Sequence, residues 1–464
     1  MRSCGAADDS RLGSLNIVPV ICPPTLPKIV AEWASVIPLV IHLATNRNDY
    51  ITTGEVALLG RISLEIFPKL GALSSLARLL QCGPGFLDQA SIRGGESRTV
   101  WDVRWGSVFP AANGAASIAI IDYVLSRTQK TPVKMPDKVP TTAEAKQEAP
   151  SELAETNNQN IRAPAKVTNP RLRPVLPDQQ PSIVGPSRRY QTLHILYFRK
   201  GPQPRPTIFS LNWFVVASHI MTFLILVNVA IILSIGGLFG SAAILFFGAV
   251  SRVVSPGISI DRPPGYLVNN ENHDACMLLA SHPNAMEWYL NIGDRSIVDT
   301  LLNKPMLQII ADSRTMLIGH WLNIANTIQL AAVTFVAAQK GWDGVSLIVL
   351  MAIDGAVRWR FRGRNLARNW LEREGVEVVY KTFLFTSRSS MIGAIQLYSK
   401  TKVTNWIDSI MTPHPRRDAW LRSLLGEQWE GSLNNADREW VKLQRDLSCI
   451  GARLVSKELE AEIV

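Results

Sequence analysis

The chain has 464 residues, enough for two or three domains. Of these residues 47% are hydrophobic and only 19% are charged, which is a more hydrophobic composition than soluble proteins usually have. A formal net charge of +10 favours an anionic partner, either nucleic acid or the headgroups of a membrane leaflet. The five cysteines lie far apart with no C-x-x-C pair, which argues against a disulfide framework and a paired-cysteine zinc site.

Residues 1–127 form a mixed N-terminal region. Its two apolar stretches, residues 29–44 and 107–125, are interrupted by proline, glycine or acidic residues and are shorter than the about 20 apolar residues that a bilayer-crossing helix needs. Neither is counted among the predicted spans, and the sequence leaves open whether either of them adds a further one. Asp8 and Asp9 stand where a secretory signal has its apolar core, so no cleavable signal is predicted.

Residues 128–206 have a different composition, rich in Pro, Lys, Glu, Gln, Asn and Thr with few aromatic residues. Such a segment cannot bury enough apolar surface to offset the entropy of ordering. The composition therefore predicts a disordered, proline-rich linker.

The strongest signal lies in residues 211–251, which contain no Asp, Glu, Lys or Arg. A single helix of that length would be about 60 Å long, about twice the thickness of the hydrocarbon core. The sequence therefore predicts a transmembrane hairpin in residues 207–254, turning near residues 234–237.

A second pair of apolar segments occupies residues 316–357, on either side of the polar turn AQKGWDG. Its last segment is short and contains Asp354. Together the two pairs predict an α-helical integral membrane protein with about four transmembrane helices arranged as two hairpins. Small mixed α/β cytosolic segments complete this expected fold.

Basic residues flank these segments and predict their orientation. The string DGAVRWRFRGRNLARNW interleaves arginine with Trp359 and Phe361, as nucleic-acid contact would need, but it also follows the last apolar segment directly. A cytosolic anchor to anionic headgroups is the favoured interpretation, with both termini cytosolic and nucleic acid disfavoured as a partner. The predicted anchor residues are Arg358, Arg360, Arg362, Arg364 and Arg368.

Several polar residues interrupt the predicted spans, where lipid cannot satisfy them. They are expected to face other helices, either as interhelical hydrogen bonds or as a path for a transported solute. These residues are His219, Asn228, His320, Asn323, Asn326, Gln329 and Asp354.

Residues 255–315 are predicted to form a cytosolic loop domain that contains several metal-capable side chains. Their spacing matches no known ligand frame, so no metal site and no cofactor is predicted. The alternative is a small helical domain, with Asp294 capping a helix over residues 297–302. The metal-capable residues are His273, Asp274, Cys276, His282, Glu287, Asp294 and Asp299.

Residues 358–464 are predicted to form a C-terminal cytosolic domain. Residues 365–373 have a helical pattern, and VEVVYKTFLF, residues 376–385, alternates as a strand does. Three short amphipathic helices follow, with Trp406 and Trp420 among the expected core residues. No G-x-S-x-G, phosphate-binding-loop, dinucleotide or kinase motif is present in the sequence.

Two long stretches carry a resemblance to a known group of proteins. They are NHDACMLLASHPNAMEWYLNIGDRSIVDTLLNKPM and KTFLFTSRSSMIGAIQLYSKTKVTNWIDSIMTPHPRRDAWLRSL, with a hairpin between them. The chain resembles uncharacterised multi-pass membrane proteins of filamentous fungi over about residues 205–430. The resemblance implies a membrane architecture and supplies no activity, cofactor or catalytic residue.

Three functions are compatible with these patterns. An integral membrane scaffold or regulatory component with cytosolic interaction domains is favoured, because most of the non-membrane mass is expected on the cytosolic side. A small-solute transporter or channel is the alternative, and a membrane-bound enzyme using the loop from His273 to Asp299 is the second alternative. The sequence favours a non-enzymatic protein without deciding the question.

Overall fold

The computed structural model describes fifteen parts of the chain, and all structural statements below concern these residues. They are residues 24–45, 49–62, 70–83, 85–86, 97–127, 131–136, 190–201, 212–254, 258, 260–269, 271–310, 312–339, 341–361, 365–429 and 431–463.

A seven-stranded mixed sheet is the largest feature. Its order is β2-β1-β6-β7-β4-β9-β3, with β6 antiparallel to both β1 and β7, and β3 parallel to β9. Two further short strands, β5 and β8, pair with each other. The strands are β1 Thr99–Asp102, β2 Val108–Pro110, β3 Val133–Lys134, β4 Gln191–Lys200, β5 Ile260–Asp261, β6 Ala275–Ala280, β7 Glu287–Gly293, β8 Gln308–Ile309 and β9 Val376–Phe385.

Fourteen helices accompany the strands in the described part of the chain. They are α1 Lys28–Thr45, α2 Asp49–Leu59, α3 Ala72–Cys82, α4 Gly114–Arg127, α5 Asn212–Ile235, α6 Phe239–Val254, α7 Arg295–Leu302, α8 Ser313–Gln339, α9 Trp342–Phe361, α10 Asn365–Glu374, α11 Arg388–Ser399, α12 Asn405–Asp408, α13 Pro415–Leu425 and α14 Asn435–Ile463.

The predicted fold class, a helical membrane protein with four spans in two hairpins, is wrong. The fold is mixed α/β, and only α1 and α8 among the described helices are long and apolar enough to cross a membrane. The apolar stretches in α5 and α6 are shorter. The prediction failed because strands of six to ten residues contribute little to the hydropathy averaged over about 20 residues, the length of a membrane helix.

Strand β4 shows this difference most clearly. It lies inside the segment for which composition predicts a disordered linker, yet it forms an interior strand between β7 and β9. Leu193, Ile195 and Leu196 are fully or almost fully buried. The remaining linker residues, apart from 131–136, 190 and 201, lie outside the described residues.

The chain divides into two compact units. The first contains residues 1–130, 195–283 and 289–380, and the second contains residues 131–194, 284–288 and 381–464. Within the first unit, α1, α5, α6, α8 and α9 pack into what we call the helical bundle. Its core is formed by side chains such as Leu226, Ile244, Val333 and Leu347.

The turn between α5 and α6 and the turn between α8 and α9 lie at the same end of the bundle, and Asp343 connects them. Its carboxylate accepts hydrogen bonds from the backbone N–H groups of Gly240 and Ser241, each at 2.8 Å, at the start of α6. A carboxylate at a helix N-terminus satisfies donors that the helix itself cannot satisfy. We call this the turn end of the bundle.

Helix α1 begins at the same turn end. The indole N–H of Trp342 donates to the carbonyl of Pro24, and a Cβ on Gly344 would lie 2.6 Å from the carbonyl oxygen of Ala34. Small residues therefore allow α1 and α9 to approach closely. Pro38 lies inside α1 without ending it.

The rest of the first unit is built on the sheet. Helices α2, α3, α4, α7 and α10 bury their apolar side chains together with strand residues such as Val100, Met277 and Leu279. The first half of α8 joins this core through Leu322 and Ala325, whereas its second half belongs to the helical bundle. Helix α8 thus links the two parts of the unit.

In the second unit, α11 packs against α14. Gly393 permits this approach, because a Cβ there would clash with the side chain of Ser448. Trp406 and Trp420 are fully buried, as predicted, and the Trp406 indole donates to Gln396 at 2.9 Å. The predicted strand over residues 376–385 and the helices after it are confirmed.

Candidate functional site

Helix α7 carries charged residues into the core. All eight of its residues are buried, including Arg295 and Asp299. The helix begins as the sequence predicts, because the Asp294 carboxylate accepts a hydrogen bond from the Ser296 N–H. At its other end the Asn113 amide donates to the carbonyls of Thr300 at 2.9 Å and Lys304 at 2.7 Å. Both termini are therefore fixed, and so is the direction of its charged face.

The turn between β1 and β2 brings two more groups to this helix. The Asp102 side chain accepts hydrogen bonds from the backbone N–H groups of Arg104 at 2.9 Å and Trp105 at 3.1 Å. Gly106, with φ of 76°, closes the turn. As a result the Asp102 carboxylate is buried, while the Trp105 side chain is 57% exposed.

Arg295 lies among three carboxylates. Its Nε is 3.0 Å from Glu271 Oε2 and 3.3 Å from Asp299 Oδ2, and its Nη2 is 4.0 Å from Asp102 Oδ2. Only 9% of the Arg295 side chain is exposed. Lys304 adds a second cation, 3.9 Å from Asp299. The three carboxylates thus exceed the two nearby permanent cations by one charge.

The Trp105 ring and the partly exposed side chains of His273 and Glu271 cover the buried ion pair of Arg295 and Asp299. The Trp105 ring lies 5.8 Å from Arg295 Cζ and 6.0 Å from the ring of His273. His273 Nε2 is 2.9 Å from Glu271 Oε2, and about a third of each side chain is exposed. We call the set of Asp102, Trp105, Glu271, His273, Arg295 and Asp299 the α7 cluster.

Several polar atoms of the α7 cluster have no aligned hydrogen bond. Arg295 Nη1 and Asp299 Oδ1 are buried without a partner. Arg295 Nε and Glu271 Oε2 are at ion-pair distance, but the N–H direction does not satisfy a hydrogen bond. Unaligned donors and acceptors at this depth are costly to the stability of the fold.

Burial also shifts the acidity of the cluster. It raises the pKa of the Asp102 carboxyl above its ordinary value, although hydrogen bonds from the backbone of Trp105 and Arg104 act in the opposite direction. Burial likewise raises the pKa of Asp299, against the charge of Arg295. Perturbed carboxyl groups beside an exposed aromatic ring mark a candidate binding site.

Cys276 lies nearby but is not available for chemistry. It is fully buried, and burial raises the pKa of its thiol to about 12. A thiol with such a pKa is not a nucleophile near neutral pH. In the described residues no group of three or more His, Cys, Asp or Glu side chains could hold a metal ion.

Of the metal-capable residues singled out from the sequence, the structure brings His273 and Asp299 together. Asp294 caps α7, Asp274 offers its backbone carbonyl to Arg104, and His282 and Glu287 are exposed near the β6–β7 turn. Sequence reasoning missed four members of the α7 cluster, because no local motif contains them. These are Asp102, Trp105, Glu271 and Arg295.

A second surface concerns the helical bundle. Of the twenty-nine large apolar side chains that are exposed in the described part of the chain, twenty-two lie on α1, α5, α6, α8 and α9. On α1 they recur at intervals of three or four residues along one face, at Ile29, Trp33, Val36, Val40 and Leu43. An apolar surface of this extent needs a partner other than water.

The polar residues of the predicted spans have different surroundings. Gln329 is buried, and its Oε1 accepts a hydrogen bond from Gly71 at 3.2 Å. Asp354 is also buried, at 2% exposure. Asn326 Oδ1 is buried without a hydrogen-bond partner. Gln329 and Asp354 are therefore shielded from solvent, and so is the side-chain oxygen of Asn326.

The others lie on the outside of their helices. Asn228 is exposed and donates to the carbonyl of Leu224 in its own helix, and Asn323 is exposed. His320 is exposed, with Nδ1 3.4 Å from the Gln81 amide nitrogen. His219 belongs to α5, but its side chain lies outside the described residues.

The predicted basic anchor is described only in part. Arg358 and Arg360 belong to the end of α9, with side chains outside the description, and Arg362 and Arg364 lie outside the described residues. Arg368 lies on α10, where its Nε donates to Glu372 at 2.7 Å. It also lines an open cavity of about 440 Å³ beside the start of β9.

Comparison of the chain with protein-family models, curated proteins and solved structures gives no match. The resemblance to fungal membrane proteins therefore stays a prediction. The function has to be argued from the helical bundle and the α7 cluster themselves.

Proposed function

We propose that the protein is a membrane-anchored scaffold or regulatory component, whose helical bundle contacts lipid and holds the sheet-based part at the membrane surface. The observation that carries this proposal is the concentration of exposed large apolar side chains on the five bundle helices. In water this surface would promote aggregation, whereas acyl chains would cover it without loss.

Burial within α1 and α8 supports the same proposal. A core helix of a water-soluble protein is mostly buried, but only 28% of the apolar window of α1 and 33% of that of α8 is buried. The inward face of α1 uses small residues, Ala31, Ala34 and Ser35, while its outward face carries Ile29 and Trp33. Small residues inside and large apolar residues outside are typical of helices packed in lipid.

The polar groups of the bundle favour a structural role over transport. Gln329 binds the backbone of Gly71, and Asp343 binds the first turn of α6. Asn228 lies on the outside and bonds to its own helix. Gln329 and Asp343 are engaged in holding separate segments together and Asn228 lies on the outside, so these three groups do not form a continuous polar path for a solute.

Basic residues indicate the orientation of the bundle. The ends of α6 and α8 that lie opposite to the turn end carry Arg252 and Arg314. Basic residues next to membrane helices favour the cytosolic side, which supports a cytosolic position for the sheet-based part, near anionic headgroups. Helix α1 begins at the turn end, so in this proposal its first residues lie on the side of the membrane opposite to Arg252 and Arg314.

The experiment is membrane fractionation combined with protease protection. The full chain should stay in the membrane pellet after alkaline carbonate washing. A tag at the C-terminus should be digested in sealed vesicles, whereas a tag at the N-terminus should be protected. Release of the protein by carbonate would refute membrane anchoring, and digestion of both tags would refute the orientation drawn from α1.

A further inference from the structure

An open cavity of about 440 Å³ lies in the first unit, between the ends of α4 and α10 and the start of β9. We call it the α4–α10 cavity, and Arg127, Arg368 and Val376 are among its lining residues. Its volume lies within the range of about 300–1,000 Å³ that is usual for small-molecule sites. The cavity therefore has room for an organic ligand.

The most buried lining residues of the α4–α10 cavity are aliphatic. Val124 comes from α4, Leu371 from α10 and Val376 from β9, and all three are buried. They belong to the core of the sheet-based part, and the half-buried Val378 packs against the same core. These residues form an apolar floor. An aliphatic group that leaves water on this floor gains about fourfold in affinity for each methylene that it buries.

The acidic side chains of the cavity are already engaged. Glu372 Oε1 accepts a hydrogen bond from Arg368 Nε at 2.7 Å. Glu377 Oε2 accepts one from Arg199 Nε at 2.6 Å. Because each carboxylate has its own arginine, neither presents an unbalanced negative charge to a ligand.

The unused polar groups of the cavity are hydrogen-bond donors. Arg127 is exposed in the last turn of α4, and within the described residues no ion pair joins it to an acidic side chain. Its full positive charge exceeds the partial negative charge at the end of that helix. Tyr123 lies four residues earlier on the same side of α4, and its hydroxyl has no hydrogen-bond partner in the described part of the chain.

One excess positive charge beside an apolar floor is complementary to a monoanion with an aliphatic body. A carboxylate accepts two parallel hydrogen bonds from a guanidinium, which an ammonium group cannot do. We propose that the α4–α10 cavity binds an aliphatic monocarboxylate, with Arg127 and Tyr123 on the carboxylate and the apolar floor around the chain. The proposal goes beyond membrane anchoring and does not rest on it, because every lining residue belongs to the sheet-based part of the first unit.

The test is titration calorimetry on the full chain in detergent, with octanoate, octylamine and 1-octanol as probes of the same chain length. Octanoate should bind, and the amine and the alcohol should each bind at least about tenfold more weakly, because neither accepts the charged hydrogen bonds of Arg127. Equal binding of either analogue, or no binding of octanoate at millimolar concentration, would overturn the proposal.

Chain length tests the apolar floor. Butanoate, hexanoate and octanoate differ by two methylenes at each step, so the affinity should rise by up to about fifteenfold per step. No gain along the series would contradict burial of the chain. The same carboxylate chemistry occurs in water and in membranes, and palmitate offered in vesicles distinguishes these sources. Binding of palmitate that exceeds that of octanoate would identify a membrane fatty acid as the ligand, and weaker binding would identify a water-soluble acid.

Variants locate the carboxylate. Arg127→Gln should weaken octanoate about tenfold and leave 1-octanol unchanged, because it removes the charge and keeps the floor. Arg438→Gln, at an exposed arginine of α14 in the second unit, is the matched control and should bind octanoate as the parent chain does. Uptake of octanoate into detergent is the same for both variants, so their difference reports the cavity alone. If Arg127→Gln binds octanoate as the control does, the α4–α10 cavity is not the site.

Discussion

Asp343 offers a sharp test of how the helical bundle is held together. It is 2% exposed, and its carboxylate accepts the N–H groups of Gly240 and Ser241 and the hydroxyl of Ser241. These donors belong to the first turn of α6, which has no intrahelical acceptors for them. Replacing Asp343 by alanine leaves two backbone N–H groups buried without a partner.

The size of the effect follows from these bonds. An unsatisfied buried donor costs about 1–3 kcal/mol, so two of them destabilise the Asp343→Ala chain by about 2–6 kcal/mol. Asp343→Asn keeps one carbonyl acceptor and should lose about half as much stability. At about 2 °C per kcal/mol for a chain of this size, the alanine variant should melt about 4–12 °C lower.

The assay is thermal unfolding of the detergent-solubilised chain, followed by intrinsic tryptophan fluorescence. Glu372→Ala is the control, because it removes an ion pair whose side chains are 56% and 60% exposed and which therefore contributes little to stability. If Asp343→Ala melts within one or two degrees of this control, the turn end is not held by Asp343 and the buried hydrogen bonds have been misjudged.

Three further outcomes are expected. Ile225 lies on the outer face of α5 and is 57% exposed, and Ile225→Lys should lower membrane abundance, because lysine at a helix centre in lipid costs about 2.5–3.5 kcal/mol. Leu443→Lys, at a residue of α14 that is 41% exposed, is the control and should leave membrane abundance unchanged. Equal membrane abundance of the two variants would argue against lipid contact by α5. Gly344→Ala should loosen α1 from α9 and increase proteolysis of α1, since its Cβ would lie 2.6 Å from the Ala34 carbonyl; unchanged proteolysis would contradict the close approach. Burial raises the pKa of the Asp102 carboxyl above its ordinary 3.8, so the folded chain keeps a proton that the unfolded chain has lost. The free energy of unfolding should therefore fall as pH rises from about 4 through the raised pKa. Urea unfolding of Asp102→Asn at several pH values should show no such fall.

The sequence predicts those elements whose pattern is local. The charge-free segment gives α5 and α6 with a turn at residues 236–238, and the Asp294 cap gives α7. Strand β9 has the bounds that its alternation predicts. In each case the signal lies within one element, in its hydropathy period or its capping residue.

The sheet is not predicted, because no local pattern in the sequence indicates it. All six residues of β6 are buried, so its sequence ACMLLA has no alternation and does not differ from a buried helical turn. Helix α1 was discounted because of Pro38 and Glu32, yet Pro38 is accommodated within an 18-residue helix. The α7 cluster joins residues as far apart in the chain as Asp102 and Arg295, so no local motif indicates it.

Stability does not account for the charges on α7. Burying an ion costs several kcal/mol, and an ion pair offsets that cost only when its hydrogen bonds are complete, which is not so for Arg295. Apolar replacements of a buried pair are often neutral or stabilising by about 1–4 kcal/mol. A triple variant, Arg295→Met, Asp299→Leu and Asp102→Asn, should therefore melt at or above the parent temperature. Melting of this variant far below the parent temperature would show that these charges are needed for folding. In that case the free-energy cost of removing them would exceed the cost of burying them.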